Sequence, residues 1–311
     1  MFNGEKIPFF EKEKQFGCNV SIRNFYFRHA EKASGLVGDE NGMSISRLSE
    51  KGRHDSYKLG SQIGNPAKDG FKIKWSGLER TLETGEEKTE GYLGDNDRKK
   101  FITREVKELS GDLMDTKKEF GALYIEKWEM NKKAILEKRD LKIDSYTILD
   151  STQQAEIAEE AEEPVIAEWI DDPKSDLHKF YPPEEAAAYI ATIVNKGIEM
   201  VKKLKNNSAV DIFNMTHKTI TEPLLMKIIL LPNGQKPQKL AEIGGALGLN
   251  EGWELDVKTD NNGTQIVKLI MYRVNSSNGQ NPKYDKTEYN IDLDELNRLA
   301  EIGKELRKND E

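Results

Sequence analysis

Two histidines and two arginines of this 311-residue chain have the types and positions expected of a phosphoryl-transfer site. Arg28 and His29 follow a run of β-branched and aromatic residues, His217 follows a second such run, and Arg80 lies four residues beyond Ser76, behind a third. Guanidinium groups bind phosphate oxygens in pairs, and a neutral imidazole can attack phosphorus. A single histidine is more often packed or solvated, so their shared position after strands is what indicates chemistry.

The elements that must position these side chains alternate between strand and helix. This alternation predicts an α/β fold, and in an open α/β sheet the carboxyl ends of the strands line the ligand crevice. Asn261, Asn262 and Gly263 tolerate the positive φ of a tight turn and predict a C-terminal β-hairpin. The patterns predict strands at 20–27, 71–75, 101–106 and 209–216, hairpin strands at 253–259 and 265–273, and helices at 49–64, from 78, from 182, at 223–231 and, as a polar terminal helix, at 293–311.

Four sequence blocks stand in a recognisable order: FYFRHAEKASG, LSEKGRHDSYKLG, WSGLERTLETGE and NMTHKTITEPLL. Together they resemble the histidine phosphatase superfamily, in its phosphoglycerate-mutase-like form, over roughly residues 20–230. The order and spacing of the four blocks is far more specific than any one of them. The positions that match the family pattern are Arg28, His29 and Ala30, then Leu48, Ser49 and Gly52, then Ser76, Arg80 and Thr84, and finally His217.

The resemblance implies one domain over 1–311, built as a three-layer sandwich with a mostly parallel central sheet flanked by helices. It also implies that His29 is the nucleophile and that Arg28, Arg80 and His217 bind the phosphoryl group, with no cofactor and no metal. Lys218 departs from the family pattern, which often has glycine after the second histidine. We expect Lys218 either to add charge at the pocket rim or to point away.

A proton donor is also required, because the leaving alkoxide must be protonated. In the mutase-like branch the acid follows the third strand, and VKELSGDL offers Glu108 there, one residue short of the usual spacing. Asp112 and Glu105 are alternatives, and all three can equally be surface acids. The other branch places its acid directly after the second histidine, where this chain has Lys218 and Thr219.

Residues 115–181 have no counterpart in minimal members of that family and are predicted to be a helical insertion. Its apolar residues favour a cap over or beside the pocket, although an oligomerisation arm or a solvated excursion fits nearly as well. The acidic segment 155–163 is typical of a solvated helical face or a disordered stretch. The apolar residues at partly helical spacing are Tyr124, Ile125, Trp128, Met130, Ile135 and Leu136.

Composition excludes several other classes of protein. The 47 Lys and Arg against 55 Asp and Glu give a net charge of -8, which argues against nucleic acid or an anionic membrane as a partner. The sequence lacks the roughly 18 consecutive apolar residues of a membrane span and a secretory h-region, so we expect a cytoplasmic protein. Cys18 is the only cysteine, and His54 and His178 form no metal-binding pattern with the other histidines.

The prediction that follows is a phosphomonoester hydrolase acting through a phosphohistidine on His29. Its substrate would be a small phosphorylated molecule or a phosphoprotein. One alternative is a phosphoglycerate-mutase-like phosphotransferase, which the stretch RHAEKASGL does not favour. Another is a protein that binds a phosphorylated ligand without turning it over. The presence of His29 counts against this alternative, because a binding protein does not need a nucleophile. The oligomeric state stays open.

Overall fold

A computed structural model describes residues 16–33, 37–38, 44–45, 47–94, 102–106, 109, 117–275 and 281–310. The strands are β1 Ser21–Arg28, β2 Val37–Gly38, β3 Ser44–Ile45, β4 Gly70–Trp75, β5 Ile102–Glu105, β6 Ala209–Thr216, β7 Ile229–Leu230, β8 Gly252–Thr259, β9 Gln265–Asn275 and β10 Lys283–Ile291. The α-helices are α1 Glu50–Gly60, α2 Glu79–Leu93, α3 Lys118–Lys138, α4 Ser151–Asp171, α5 Asp176–Phe180, α6 Pro183–Glu199, α7 Glu222–Ile228 and α8 Leu293–Asp310.

The fold is α/β, but its main sheet is mixed, and the expectation of a mostly parallel sheet is wrong. Eight strands lie in the order β5-β4-β6-β1-β8-β9-β10-β7. The pairs β5–β4, β4–β6 and β6–β1 are parallel, whereas the four pairs from β1–β8 to β10–β7 are antiparallel. The predicted hairpin is β8–β9, and it extends the sheet directly from β1. Polar residues fill most of β10, which hides that strand from a hydrophobicity pattern.

The central strand β1 separates two hydrophobic clusters because its side chains alternate between the two faces of the sheet. Ile22 and Tyr26 belong to the cluster that includes Ile190 of α6. Phe25 and Phe27, on the other face, belong to the cluster that includes Tyr92 of α2. Helices therefore cover both faces of the sheet around β1, and its carboxyl end is held between them.

Helix α2 approaches α1 so closely that only glycine fits at the contacts. A Cβ on Gly91 would lie 1.9 Å from the carbonyl oxygen of Tyr57, and one on Gly60 would lie 2.1 Å from that of Lys88. Such contacts with backbone atoms cannot be relieved by turning a side chain. These contacts fix the C-terminal half of α2 against α1, and the same helix carries Arg80 in its first turn.

The 115–181 segment forms α3, α4 and α5 in its described part. A capping box between Asp150 and Gln153 begins α4, and Trp128 of α3 donates a hydrogen bond of 3.3 Å to the Ala158 carbonyl of α4. Of the apolar residues predicted to pack, Tyr124 and Leu136 are buried, whereas Ile125 and Met130 are exposed.

The terminal helix α8 packs through an apolar face, although most of its residues are polar. Leu296, Leu299 and Ala300 are fully buried, and a Cβ on Gly303 would lie 2.1 Å from the Ala188 carbonyl oxygen of α6. Spaced at three and four residues, these small and apolar side chains form one buried face against α6.

Candidate active site

The register of the sheet brings the two predicted histidines together. Arg28 pairs with Thr216 in the parallel β1–β6 ladder, so His29 and His217 are each the first residue past their strand. The backbone N–H of His29 donates to the Thr216 carbonyl at 3.1 Å. The two imidazole ring centres lie 5.1 Å apart, and both side chains are buried. Ser76, directly after β4, reaches the same edge.

The hydrogen bond made by His29 determines which of its nitrogens is free. Its Nδ1 lies 2.8 Å from the Ala30 carbonyl oxygen. A carbonyl oxygen only accepts, so Nδ1 carries the proton, and Nε2 of the neutral ring has a lone pair. Burial holds the pKa of His29 well below its ordinary value, helped by the positive charge of Arg80 and by the neighbouring His217. The ring is therefore neutral at physiological pH, the form in which an imidazole is a nucleophile.

His217 is held in the opposite tautomer by a chain of hydroxyl groups. Thr81 donates its hydroxyl proton to the Leu78 carbonyl at 2.6 Å, so it must accept from Ser76 Oγ at 3.0 Å. Ser76 Oγ then accepts from His217 Nε2 at 2.7 Å. This leaves His217 Nδ1 as an acceptor 3.5 Å from Nη2 of Arg80. Burial, Arg80 and Arg28 lower the pKa of His217 to about 3.

The two predicted arginines lie at the same edge, in different surroundings. Burial and the like charge of Arg28 lower the pKa of Arg80. The Nε of Arg80 is buried and has no hydrogen-bond partner in the described part of the chain. Arg28, by contrast, donates from Nη1 to the Leu247 carbonyl at 3.0 Å and from both terminal nitrogens to Glu159. The Nε of Arg28 is likewise without a partner in this part of the chain. The two guanidinium groups therefore differ in their terminal nitrogens, which in Arg28 donate to Leu247 and Glu159.

Other residues of the recognised blocks hold the loop that follows His29. Thr84 of α2 accepts a hydrogen bond from the Ala30 N–H at 3.0 Å. Ser49, the N-cap of α1, accepts from the Gly52 N–H and donates to Glu31 at 2.8 Å. A Cβ on Gly52 would lie 2.3 Å from the Glu31 carbonyl oxygen, which explains the glycine. These residues position the site.

The acidic segment 155–163 is not a solvated face, because part of it lies against the site. Glu159 of α4 binds Arg28 with Oε2 at 2.5 Å and Oε1 at 2.6 Å, and Oε2 also accepts from Lys218 Nζ at 3.1 Å. Lys218 is buried, and Glu162 lies 3.5 Å from its Nζ. Sequence patterns missed this contact since Glu159 and Arg28 are 131 residues apart.

Of the three predicted proton donors, only Glu105 lies among the described residues. Glu108 and Asp112 lie outside the described residues. Glu105 is exposed at the end of β5. The neighbour of Glu108, Leu109, is buried, and its carbonyl accepts a hydrogen bond of 3.2 Å from the hydroxyl of Thr216.

The described residues offer neither a metal-binding cluster nor a membrane-spanning helix. Among them, no group of three or more His, Cys, Asp or Glu is arranged to hold a metal ion. In the same part of the chain, no helix is both long and apolar enough to cross a membrane. His54 is exposed on α1, and His178 is half-buried in α5.

Comparison with known proteins found similarity only at the level of structure. No family model and no curated protein matches the chain. A phytase of Hafnia alvei in its apo form is 11% identical, over 93% of this chain and 97% of the phytase, with a TM-score of 0.49. A phosphoglycerate mutase from Bacillus anthracis is 12% identical, over 80% of this chain and 92% of the mutase, with a TM-score of 0.36.

A mycobacterial glucosyl-3-phosphoglycerate phosphatase is 14% identical, over 79% of this chain and 97% of that protein, with a TM-score of 0.34. Identities this low do not transfer an activity, so the function has to follow from the geometry of the site.

The buried neutral histidines predict how stability depends on pH. The pKa of His217 is about 3 in the folded chain and near 6.5 when unfolded, so the unfolded state binds more protons between these values. Acidification below pH 6.5 should therefore lower the free energy of unfolding by up to about 1.4 kcal/mol per pH unit because of His217. Urea unfolding at pH 7, 6 and 5 should show a shallower decline for His217→Gln than for wild type. His54→Gln, at an exposed position, is the control, and a wild-type decline in His217→Gln would contradict the prediction.

Proposed function

We propose that the chain is a phosphomonoester hydrolase, similar to histidine acid phosphatases, that acts through a phosphohistidine on His29. The observation that carries this proposal is the free lone pair on Nε2 of a buried, neutral His29, beside a second imidazole and two guanidinium groups. A nucleophile and fixed positive charges at one sheet edge are what an attack on a phosphate dianion requires.

In the first step, Nε2 of His29 attacks phosphorus, and the bond from phosphorus to the ester oxygen breaks with its electrons on that oxygen. Arg80 donates hydrogen bonds to the phosphoryl oxygens, since its Nε has no partner among the described residues. When the phosphate draws Arg80 from His217 Nδ1, His217 becomes free to bind a proton there and to donate it to a phosphoryl oxygen. Arg28 completes the binding of the phosphate.

The leaving oxygen takes its proton from a carboxylic acid, for which we propose Glu108. The neighbouring Leu109 accepts a hydrogen bond at its carbonyl from the hydroxyl of Thr216, directly before His217, and this contact supports the choice of Glu108. In the second step, water attacks phosphorus and gives a proton to the same carboxylate. The nitrogen–phosphorus bond then breaks, which releases inorganic phosphate and regenerates His29.

The substrate is a small phosphorylated molecule or a phosphoprotein, and the 115–181 insertion is a cap that shapes access to it. This cap is supported by the contacts of α4 with Arg28 and with the loop after His29, where Ser151 donates to Glu31 at 3.1 Å. No further cofactor takes part in the two steps.

Replacing the nucleophile should abolish turnover. His29→Ala removes the only atom that bonds to phosphorus, so hydrolysis of nitrophenyl phosphate should fall to background, while vanadate should inhibit the wild type. His54→Ala, on the exposed face of α1, should keep wild-type activity. Normal turnover by His29→Ala would exclude His29 as nucleophile. Phosphoglycerate isomerisation that exceeds phosphate release would favour the mutase, and no turnover of any substrate would favour the binding protein.

The proton donor is tested by dependence on the leaving group. Glu108→Gln should slow hydrolysis of alkyl phosphates much more than that of nitrophenyl phosphate, because nitrophenolate needs little protonation. Steady-state kcat/KM on both substrates measures the difference, and Glu105→Gln is the matched control. An equal loss on both substrates, or no loss on either, would remove Glu108 from the role.

A further inference from the structure

The guanidinium of Arg28 already holds an anion, and that anion belongs to the chain itself. Glu159 of α4 binds both terminal nitrogens of Arg28, at 2.5 and 2.6 Å. This two-point contact is the one by which arginine binds two oxygens of a phosphate. A substrate phosphate cannot take this contact with Nη1 and Nη2 while Glu159 holds it, and of the Arg28 nitrogens only Nε has no partner among the described residues.

The Glu159 carboxylate is charged at every pH at which the protein would work. Burial alone would raise its pKa, but Arg28 and Lys218 overcome that effect and lower the pKa to about 2. Glu159 is therefore an anionic competitor for Arg28, and a neutral amide at this position would compete much less.

Lys218 gives the displaced carboxylate a second partner. Its Nζ lies 3.1 Å from Oε2 of Glu159, the same oxygen that Arg28 Nη1 binds. Only 5% of the Lys218 side chain is exposed, which confines its ammonium group to this cluster. Glu159 can thus release Arg28 and stay paired with Lys218, without an uncompensated buried charge.

Helix α4 itself is fixed, so the movement is confined to one side chain. Near its start, Ser151 and Thr152 donate to Glu31, and further along, Tyr124 of α3 donates to Glu162 at 2.9 Å.

We propose that Glu159 is an intramolecular anion which the substrate phosphate displaces from Arg28, and that Lys218 retains the displaced carboxylate. Glu159 and Lys218 then determine how tightly the site binds a phosphate, although neither contacts the reacting atoms. The proposal rests on the proposed function only in taking Arg28 as a phosphate ligand.

Equilibrium binding of inorganic phosphate to the full chain tests this without any turnover. Glu159→Gln should lower the Kd for phosphate about tenfold, the size expected when a charged competitor becomes neutral. Glu160→Gln is the control on the same helix, because Glu160 pairs with Arg139 at the surface. Calorimetric titration at pH 7.5 measures both. Unchanged or weaker binding by a folded Glu159→Gln would overturn the proposal.

Lys218→Gln tests the second half of the proposal, and its effect should have the opposite sign. Without Lys218 the displaced carboxylate has no partner, so phosphate should bind more weakly. In the double variant with Glu159→Gln, removal of Lys218 should have little further effect, because no carboxylate remains to be retained. An equal loss in both backgrounds would mean that Lys218 binds phosphate directly and would overturn the exchange. If Glu159→Gln binds phosphate more tightly but the wild type turns over no substrate, the proposed hydrolase function fails and the displacement of Glu159 stands.

Discussion

The parallel pairing of β1 with β6 is the constraint on which the site depends. Eight residue pairs, from Ser21 with Ala209 to Arg28 with Thr216, place the last residues of the two strands side by side. A slip of one residue would turn each side chain to the other face of the sheet, which the hydrophobic clusters on both faces oppose. Because the last residues of the two strands are paired, His29 and His217 lie side by side directly after them, and their rings lie 5.1 Å apart.

Burial then gives these residues their chemistry. A site with two arginines and two histidines would carry a large positive charge if all four were protonated, and desolvation makes that state costly. Both imidazoles are therefore neutral, with one ring proton each. Hydrogen bonds to the Ala30 carbonyl and the Ser76 hydroxyl place that proton on Nδ1 of one ring and on Nε2 of the other. The guanidinium of Arg28 keeps its charge because the carboxylate of Glu159 neutralises it. The chain's own acid therefore balances the charge of Arg28, and under our proposal a phosphate displaces that acid.

Much of the parallel half of the fold could be predicted from the sequence, because its strands are apolar and its blocks are ordered. The convergence of Arg28, His29, Arg80 and His217 follows from strand ends, a local signal. The antiparallel half of the sheet was not predicted in full because most residues of β10 are polar and exposed, and such a strand has no hydrophobic pattern. The contact of Glu159 with Arg28 depends on how an insertion packs, and acidic residues in a helix look alike whether they face solvent or a buried arginine.

The central claim is a covalent bond between His29 and phosphorus, and trapping that bond tests it most directly. The protein would be mixed with nitrophenyl phosphate, quenched within milliseconds in alkali, in which phosphohistidine survives, and digested for mass spectrometry. The account predicts a phosphorylated peptide that contains His29, formed before steady state and absent after the substrate is exhausted. Rapid turnover with no modified His29 peptide, or with phosphate on a different residue, would contradict it.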